Sequence, residues 1–296
     1  MLVTMKEILD RAAAENYGVA APNIFSDLDA RAFVEAAEEL NSPLILDVAF
    51  MIKDKYHIGY IARELARNSS VPIAINLDHG ATMDHLYESI QAGFTSVMYD
   101  RSMLPFEEGA KQVKAAVEVA HSLDISVEAE LGHVGDADNY TIDRDAALTD
   151  PAEAVKFIEM TGVDCLAVSI GSAHGIYPEG VIPILDLDRL AAIKKETNNF
   201  PLVLHGSSGT LDDELKKACS MGINKINICG ELLQAEIEAI KKYDFTGNKA
   251  YDIYNVMRSA LKSKLKEKIK LYGSEGKAWI AIPKGLDKRE NNMEEH

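Results

Sequence analysis

The chain has 296 residues, 47% of them hydrophobic and 26% charged, with 47 acidic against 31 basic side chains and a net charge of −16. That length supports a sizeable core, and the acidic balance argues against a nucleic-acid partner, which is usually met by a basic face. Cys165, Cys219 and Cys229 have no paired spacing, no apolar run reaches membrane-spanning length, and TMKEILDRAA at the start reads as a helix capped by Thr4 and Glu7 rather than a leader, so the expectation is a cytoplasmic protein without a membrane partner.

In chain order, short apolar runs alternate with longer amphipathic stretches. The runs are YGVAAPN (17–23), PLILDV (43–48), VPIAINLDHG (71–80), SVMYD (96–100), SVEAELG (126–132), CLAVSIG (165–171), PLVLHG (201–206) and KINICG (225–230). Between them lie helical patterns such as ARAFVEAAEEL, GAKQVKAAVEVAHSL and PAEAVKFIEMTG, several with a glycine just past the end. Eight such units without a linker predict an α/β fold, a (β/α)8 TIM barrel with extra terminal helices, over 1–282; the polar segment 283–296 reads as a mobile tail. An open doubly wound sheet is the alternative, weakened by the lack of a GxGxxG turn after the first strand. The amphipathic stretch 251–272 is free to pack on the barrel or on a second subunit.

A barrel of this kind carries its chemistry at the C-terminal ends of its strands. Those ends hold Asn23, Asp47, Asp78, His79, Asp100, Glu128, Glu130, His174, His205 and Asn227. His79, His174 and His205 are each followed by glycine, and three imidazoles with a carboxylate from Glu130 or Asp100 suit a catalytic divalent metal; singly, each could instead be a polar strand cap. Asp78 can be a general acid/base beside that metal or a cap for the next helix, and because side chains alternate along a strand it can share the mouth with His79 only where the strand is ending. Glu128 and Glu130 lie on one strand face, where paired acids need a metal or a hydrogen-bond network. The glycine-rich turns HGSSG (205–209) and KINICG stand where barrels often hold a phosphate.

Taken together, LDHG, GFTSVMYDRS, VEAELG, TDPAEAVKFIEMTGVDCLAVSIGSAHG, PLVLHGSSG and GINKIN resemble the successive motifs of the class II, metal-dependent ketose-bisphosphate aldolases, from about residue 5 to about residue 280. The resemblance implies a (β/α)8 barrel and reversible retro-aldol cleavage of a ketose (bis)phosphate to dihydroxyacetone phosphate, or a close analogue, and an aldehyde. It implies a catalytic Zn2+ on His79, His174 and His205, with Glu130 and Asp100 as carboxylates of a neighbouring or resting metal position. Asp78 would transfer the proton at the C4 hydroxyl, and Asp138, on the loop after VEAELG, would handle the proton at C1 of the ene-diolate. Gly175, Gly206 and Ser208 would line the phosphate, where the family also places a monovalent cation (Na+ or K+), while Asn23 and Asn227 would contact the sugar phosphate. A homodimer or homotetramer is the implied assembly.

The departures from the family pattern are specific. GDADN replaces GGxED, so the loop Glu becomes the shorter Asp138; SPLILDVA brings Asp47 and Ala49 where SPVIxQxS is usual; Cys229 and Gly230 replace a Thr often preceded by Asp; and VMYDRS inserts Arg101. Two lost hydroxyls would weaken phosphate binding, an inward Asp47 would repel a dianion, and Arg101 would compensate charge or recognise a different acid. The expectation is an intact metal-aldol core with an altered substrate pocket. The alternative is a divergent zinc-binding protein that binds sugar phosphates without turnover. A metal-dependent hydrolase would call for an HxH pair at the first strand, and APNIFS has none.

Overall fold

The computed structural model describes residues 1–135, 137, 148–175, 177, 178 and 180–280. Asp138 and the expected tail 283–296 lie outside the described residues. Eight parallel strands, β1 (Val19–Pro22), β2 (Leu44–Ala49), β3 (Ile73–Gly80), β4 (Ser96–Tyr99), β5 (Ser126–Leu131), β6 (Cys165–Val168), β7 (Leu202–Leu204) and β8 (Ile223–Ile228), follow one another around a sheet in the order β1-β8-β7-β6-β5-β4-β3-β2. The seam between β1 and β2 is drawn together at the mouth by a bridge from Asn23 to Asp47 and by Ile24 N–H donating to the Asp47 carbonyl at 2.9 Å. The result is the expected (β/α)8 TIM barrel with extra helices. No helix among the described residues is long and apolar enough to cross a membrane.

Local chemistry sets the helix boundaries. Ser26 and Asp29 form a reciprocal capping box that starts helix Asp27–Glu39. Asp150 caps helix Pro151–Thr161, whose proline sits at the first turn and whose end is marked by Gly162 in the left-handed region. β8 begins at Ile223, two residues before the apolar run read from sequence, because Ile223 pairs with Leu202 across β7.

Two layers of side chains fill the barrel. Near its base Val19, Ala21, Ile45, Ala74, Ala167 and Val203 meet Met5, Ile8 and Leu9 of the N-terminal helix Met5–Glu15, which plugs that end. One step further along the same alternating faces stand Asp47, Asn76, Glu128 and Lys225, each fully buried, so the layer beneath the mouth is polar. A larger apolar layer joins the outer strand faces to the surrounding helices. The helix Ile253–Tyr272 packs on the barrel's own helices, clamped to Asp27–Glu39 by pairs of Lys262 with Glu35 and Glu39 and of Lys266 with Glu39.

Candidate active site

β3 explains how two neighbouring residues reach one mouth. Its pairing with β4 shifts register between Leu77 and Gly80, and His79 takes a left-handed φ of 53°. This bulge turns the strand as it ends, bringing the His79 ring to within 3.8 Å of the Asp78 carboxylate. A non-glycine residue in that region carries about 1–2 kcal/mol of strain, which the surrounding bonds must offset. Gly80 is obligatory here because a Cβ would stand 2.5 Å from the Met98 carbonyl.

Four of the five expected metal ligands converge. One ligand atom from each of His79, Glu130, His174 and His205 lies within 4.8 Å of all the others. His174 is delivered by the loop after β6, which is tied to the segment after β5 by His174 N–H on the Gly135 carbonyl and Ala137 N–H on the His174 carbonyl, both 2.7 Å. His79 Nε2 and His205 Nδ1 face each other at 2.9 Å, while their outer nitrogens meet carboxylates, His79 Nδ1 with Asp100 Oδ2 at 2.9 Å and His205 Nε2 with Glu128 Oε1 at 2.8 Å. Carboxylates behind both rings favour N–H on the outer nitrogens and turn two lone pairs toward one point. Glu130 contributes Oε2, buried without a hydrogen-bond partner and 3.6 Å from His205 Nδ1, while Val134 N–H holds its Oε1 at 2.9 Å. Facing lone pairs and an unsatisfied carboxylate oxygen fit a divalent cation. The fifth expected ligand, Asp100, stands outside this group, behind His79.

The electrostatics agree with that fit. Burial opposes charge on His79, yet the Asp78 carboxylate, the bond to Asp100 and the nearby Glu130 raise it to about 10. Burial and the neighbouring His205 and His79 press His174 down to about 3, leaving a neutral imidazole. Burial and the Asp100 charge lift Glu130 to about 8. A site that draws a proton onto His79 attracts a cation by the same field.

Asp78 is cradled rather than exposed. Asn23 Nδ2 donates to Oδ2 at 2.9 Å and Asn227 Nδ2 to Oδ1 at 3.0 Å, so these two expected substrate contacts orient the carboxylate as well as lining the mouth. Burial works against ionising Asp78, but the charges of His79, His205 and Lys225 outweigh it and hold its pKa down to about 2.

Beneath Asp78 lies Lys225, a residue that is not among the polar strand ends named from the sequence. Lys225 Nζ donates to Glu128 Oε2 at 2.9 Å and to Asn227 Oδ1 at 2.8 Å, and lies 3.2 Å from Asp47 Oδ2, too poorly aligned to hydrogen-bond it. Asn76 completes the layer by donating to Asp47 Oδ1 at 2.9 Å. Burial disfavours the ammonium, yet Asp47 and Glu128 keep it charged well above the ordinary lysine range. The signal was available, since Lys225 and Asn227 share one strand face. Asp47 does point inward, but it faces Lys225 and lines neither cavity at the mouth, so it does not confront a bound dianion.

Two cavities meet at Asp78 and His174. One of about 680 Å³ is bounded by His79, Glu130, Ala49, Arg101 and His133. The other, of about 320 Å³, is bounded by Gly175, Gly206, Ser208, Asn227, Cys229 and Gly230. The second brings together the expected phosphate residues, and helix Gly230–Lys242 opens onto it with no side-chain cap on its first amides. Ala49 and Arg101 fall on the first.

Comparison with known proteins accords with this geometry. The family model described as fructose-bisphosphate aldolase class-II matches residues 3–277. A fructose-bisphosphate aldolase of Thermus caldophilus is 38% identical over 307 aligned residues, covering 94% of this chain and 100% of the relative. The crystal structure of the YdjI aldolase from Escherichia coli K12 superposes with a TM-score of 0.84 at 34% identity, covering 94% of this chain and 100% of that one. A fructose-bisphosphate aldolase from Campylobacter jejuni, at 22% identity and a TM-score of 0.81 over 93% of this chain and 97% of that one, shares the fold.

Proposed function

We propose, since the chain belongs to the class-II fructose-bisphosphate aldolase family and is therefore a metal-dependent lyase, that it cleaves a ketose phosphate between C3 and C4 and catalyses the reverse condensation. The products would be dihydroxyacetone phosphate, or a close analogue, and an aldehyde. The convergence of His79, His174, His205 and Glu130 beside an ionised Asp78 carries this reading.

His79, His174 and His205 would hold Zn2+, with Glu130 as the additional carboxylate and Asp100 fixing the His79 ring. When bound, the ion supplies Lewis acidity toward the carbonyl and C3 hydroxyl oxygens of the ketose. Asp78, positioned by Asn23 and Asn227, takes the C4 hydroxyl proton as the C3–C4 bond breaks and returns it on condensation. Asp138 is proposed to give a proton to the ene-diolate at the carbon that was C3 of the ketose, and to take it back on condensation. Lys225 is ill suited to Schiff-base chemistry, because its ammonium is buried between Glu128 and Asn227.

The donor phosphate would rest in the smaller cavity on Gly175, Gly206 and Ser208 and at the start of helix Gly230–Lys242, which no side chain caps, with a monovalent cation beside it. Backbone donors offset the Thr hydroxyl lost where Cys229 and Gly230 stand, so the altered part of the pocket is the aldehyde side. A homodimer or homotetramer is supported by the exposed apolar residues Tyr251, Ile253 and Tyr254.

The test is a retro-aldol assay on zinc-loaded protein with fructose-1,6-bisphosphate and tagatose-1,6-bisphosphate, following dihydroxyacetone phosphate. Chelator-sensitive cleavage, restored by Zn2+, is expected. Stoichiometric zinc with no cleavage of these or any other ketose phosphate would overturn the assignment in favour of a sugar-phosphate binding protein.

A further inference from the structure

The larger cavity has a built feature that the aldol chemistry leaves unused. Arg101 lies at its wall with its guanidinium over the Tyr99 ring, 4.3 Å from the centroid, and anchored by Nη2 donating to the Ala81 carbonyl. Its Nε is buried without a hydrogen-bond partner, and among the described residues Arg101 has no carboxylate partner. This is unexpected in a chain of net charge −16, and more so beside Asp100. Asp100 is turned away: its Oδ2 meets His79 Nδ1 at 2.9 Å and its Oδ1 accepts Ser102 N–H at 3.0 Å. The guanidinium is held in place and under-satisfied, and Arg101 lines the cavity where the aldehyde half of a substrate would lie.

From this geometry we infer that Arg101 is a specificity residue that recognises a carboxylate at the far end of the aldehyde. The inference rests on the aldolase reading for the identity of the cavity's occupant. A planar fork with uncommitted N–H groups matches a carboxylate edge to edge, and stacking on Tyr99 fixes its plane before the ligand arrives. The rest of the cavity limits the charge it can take. Asp78, Asp100 and Glu130 line it, Arg101 is the sole Arg or Lys among the described residues that do, and Ala49, Phe50, Met51 and Leu104 supply apolar wall. One monoanion balances one guanidinium, whereas the second negative charge of a phosphate dianion would meet no further Arg or Lys among the described lining residues. His133, its Nδ1 3.2 Å from Ser102 Oγ, stands on the same wall as a neighbouring polar contact.

The test has two arms, run on wild type, R101M and R101K. In the first, zinc-loaded enzyme condenses dihydroxyacetone phosphate with chain-matched aldehydes ending in carboxylate, phosphate or hydroxyl. Wild type is expected to favour the carboxylate over the hydroxyl by about 10- to 100-fold in kcat/KM, the worth of one charge-assisted pair. R101M should bring that ratio near one, and R101K should recover only part of it, since an ammonium keeps the charge and loses the fork. In the second arm, calorimetry measures binding of an unreactive aldonate and the matching alditol, which needs no turnover. Aldonate binding that R101M weakens by a similar factor is expected.

The outcomes separate the two readings. No condensation of any aldehyde, with Arg101-dependent aldonate binding intact, would sink the aldolase reading and leave the carboxylate site standing. Condensation with no carboxylate preference in wild type, or a preference that R101M leaves unchanged, would overturn the role of Arg101. A phosphate terminus preferred over carboxylate would also overturn it, in favour of a bisphosphate substrate.

Discussion

At the scale of single residues, the site is organised by what stands behind the ligands. A ring nitrogen aimed at a cation is only as well placed as the group that holds its opposite edge. Asp100 performs that task for His79 and Glu128 for His205, and Glu128 is in turn held by Lys225. For Asp100 the geometry gives a prediction that separates support from ligation. D100N should weaken metal affinity by about 10- to 100-fold, the usual cost of losing a group that orients a ligand, whereas removing the His205 imidazole should abolish tight binding. Competition with a chromophoric chelator measures both. A D100N protein that binds no metal would instead make Asp100 a direct ligand, as the sequence pattern suggested.

At the scale of elements, the helix that follows the barrel is fastened by charge. Glu39 accepts from Lys262 and Lys266, and these bonds hold its pKa down to about 2 from an ordinary 4.5. A depressed acid lends its full stability above its unfolded value and loses it as pH falls through the folded one. The cluster is solvent-screened, so it is worth at most about 1 kcal/mol. The melting temperature of E39Q should therefore fall slightly below wild type near pH 7, converge with it as pH drops from about 4.5 toward 2, and converge likewise in high salt. The elements themselves were largely legible: alternation of apolar runs with amphipathic stretches gave all eight strands, because parallel strands buried on both faces read as unbroken apolar segments. The ring of polar strand ends was legible for the same reason. Less accessible was which neighbour each polar group would choose. Asp47 read as a threat to a dianion because the sequence does not say that Lys225, 178 positions away, fills the same layer. The bulge at His79 was equally hidden, since it depends on how β3 meets β4 and not on residues 78–80 alone.

At the scale of the molecule, the four clustered donors come from β3, β5, the loop after β6 and the end of β7. An ion at that point would join half the staves of the barrel, so its affinity adds directly to the stability of the folded state. At a free metal concentration 100 times the dissociation constant that addition is about 2.7 kcal/mol. Scanning calorimetry should show the melting temperature falling by several degrees with chelator and recovering with Zn2+; an unchanged transition would mean that no ion bridges these strands. The same geography bears on how the protein is made. The donors run from position 79 to position 205, and Lys225, which steadies Glu128 and Asn227, emerges later still. A nascent chain lacking the seventh and eighth strands cannot present the complete cage, so metal cannot template this fold in the way it templates a small zinc finger. Loading would then be the last act of maturation, and the finished barrel, rather than the growing polypeptide, would select the metal from whatever the cell then supplies.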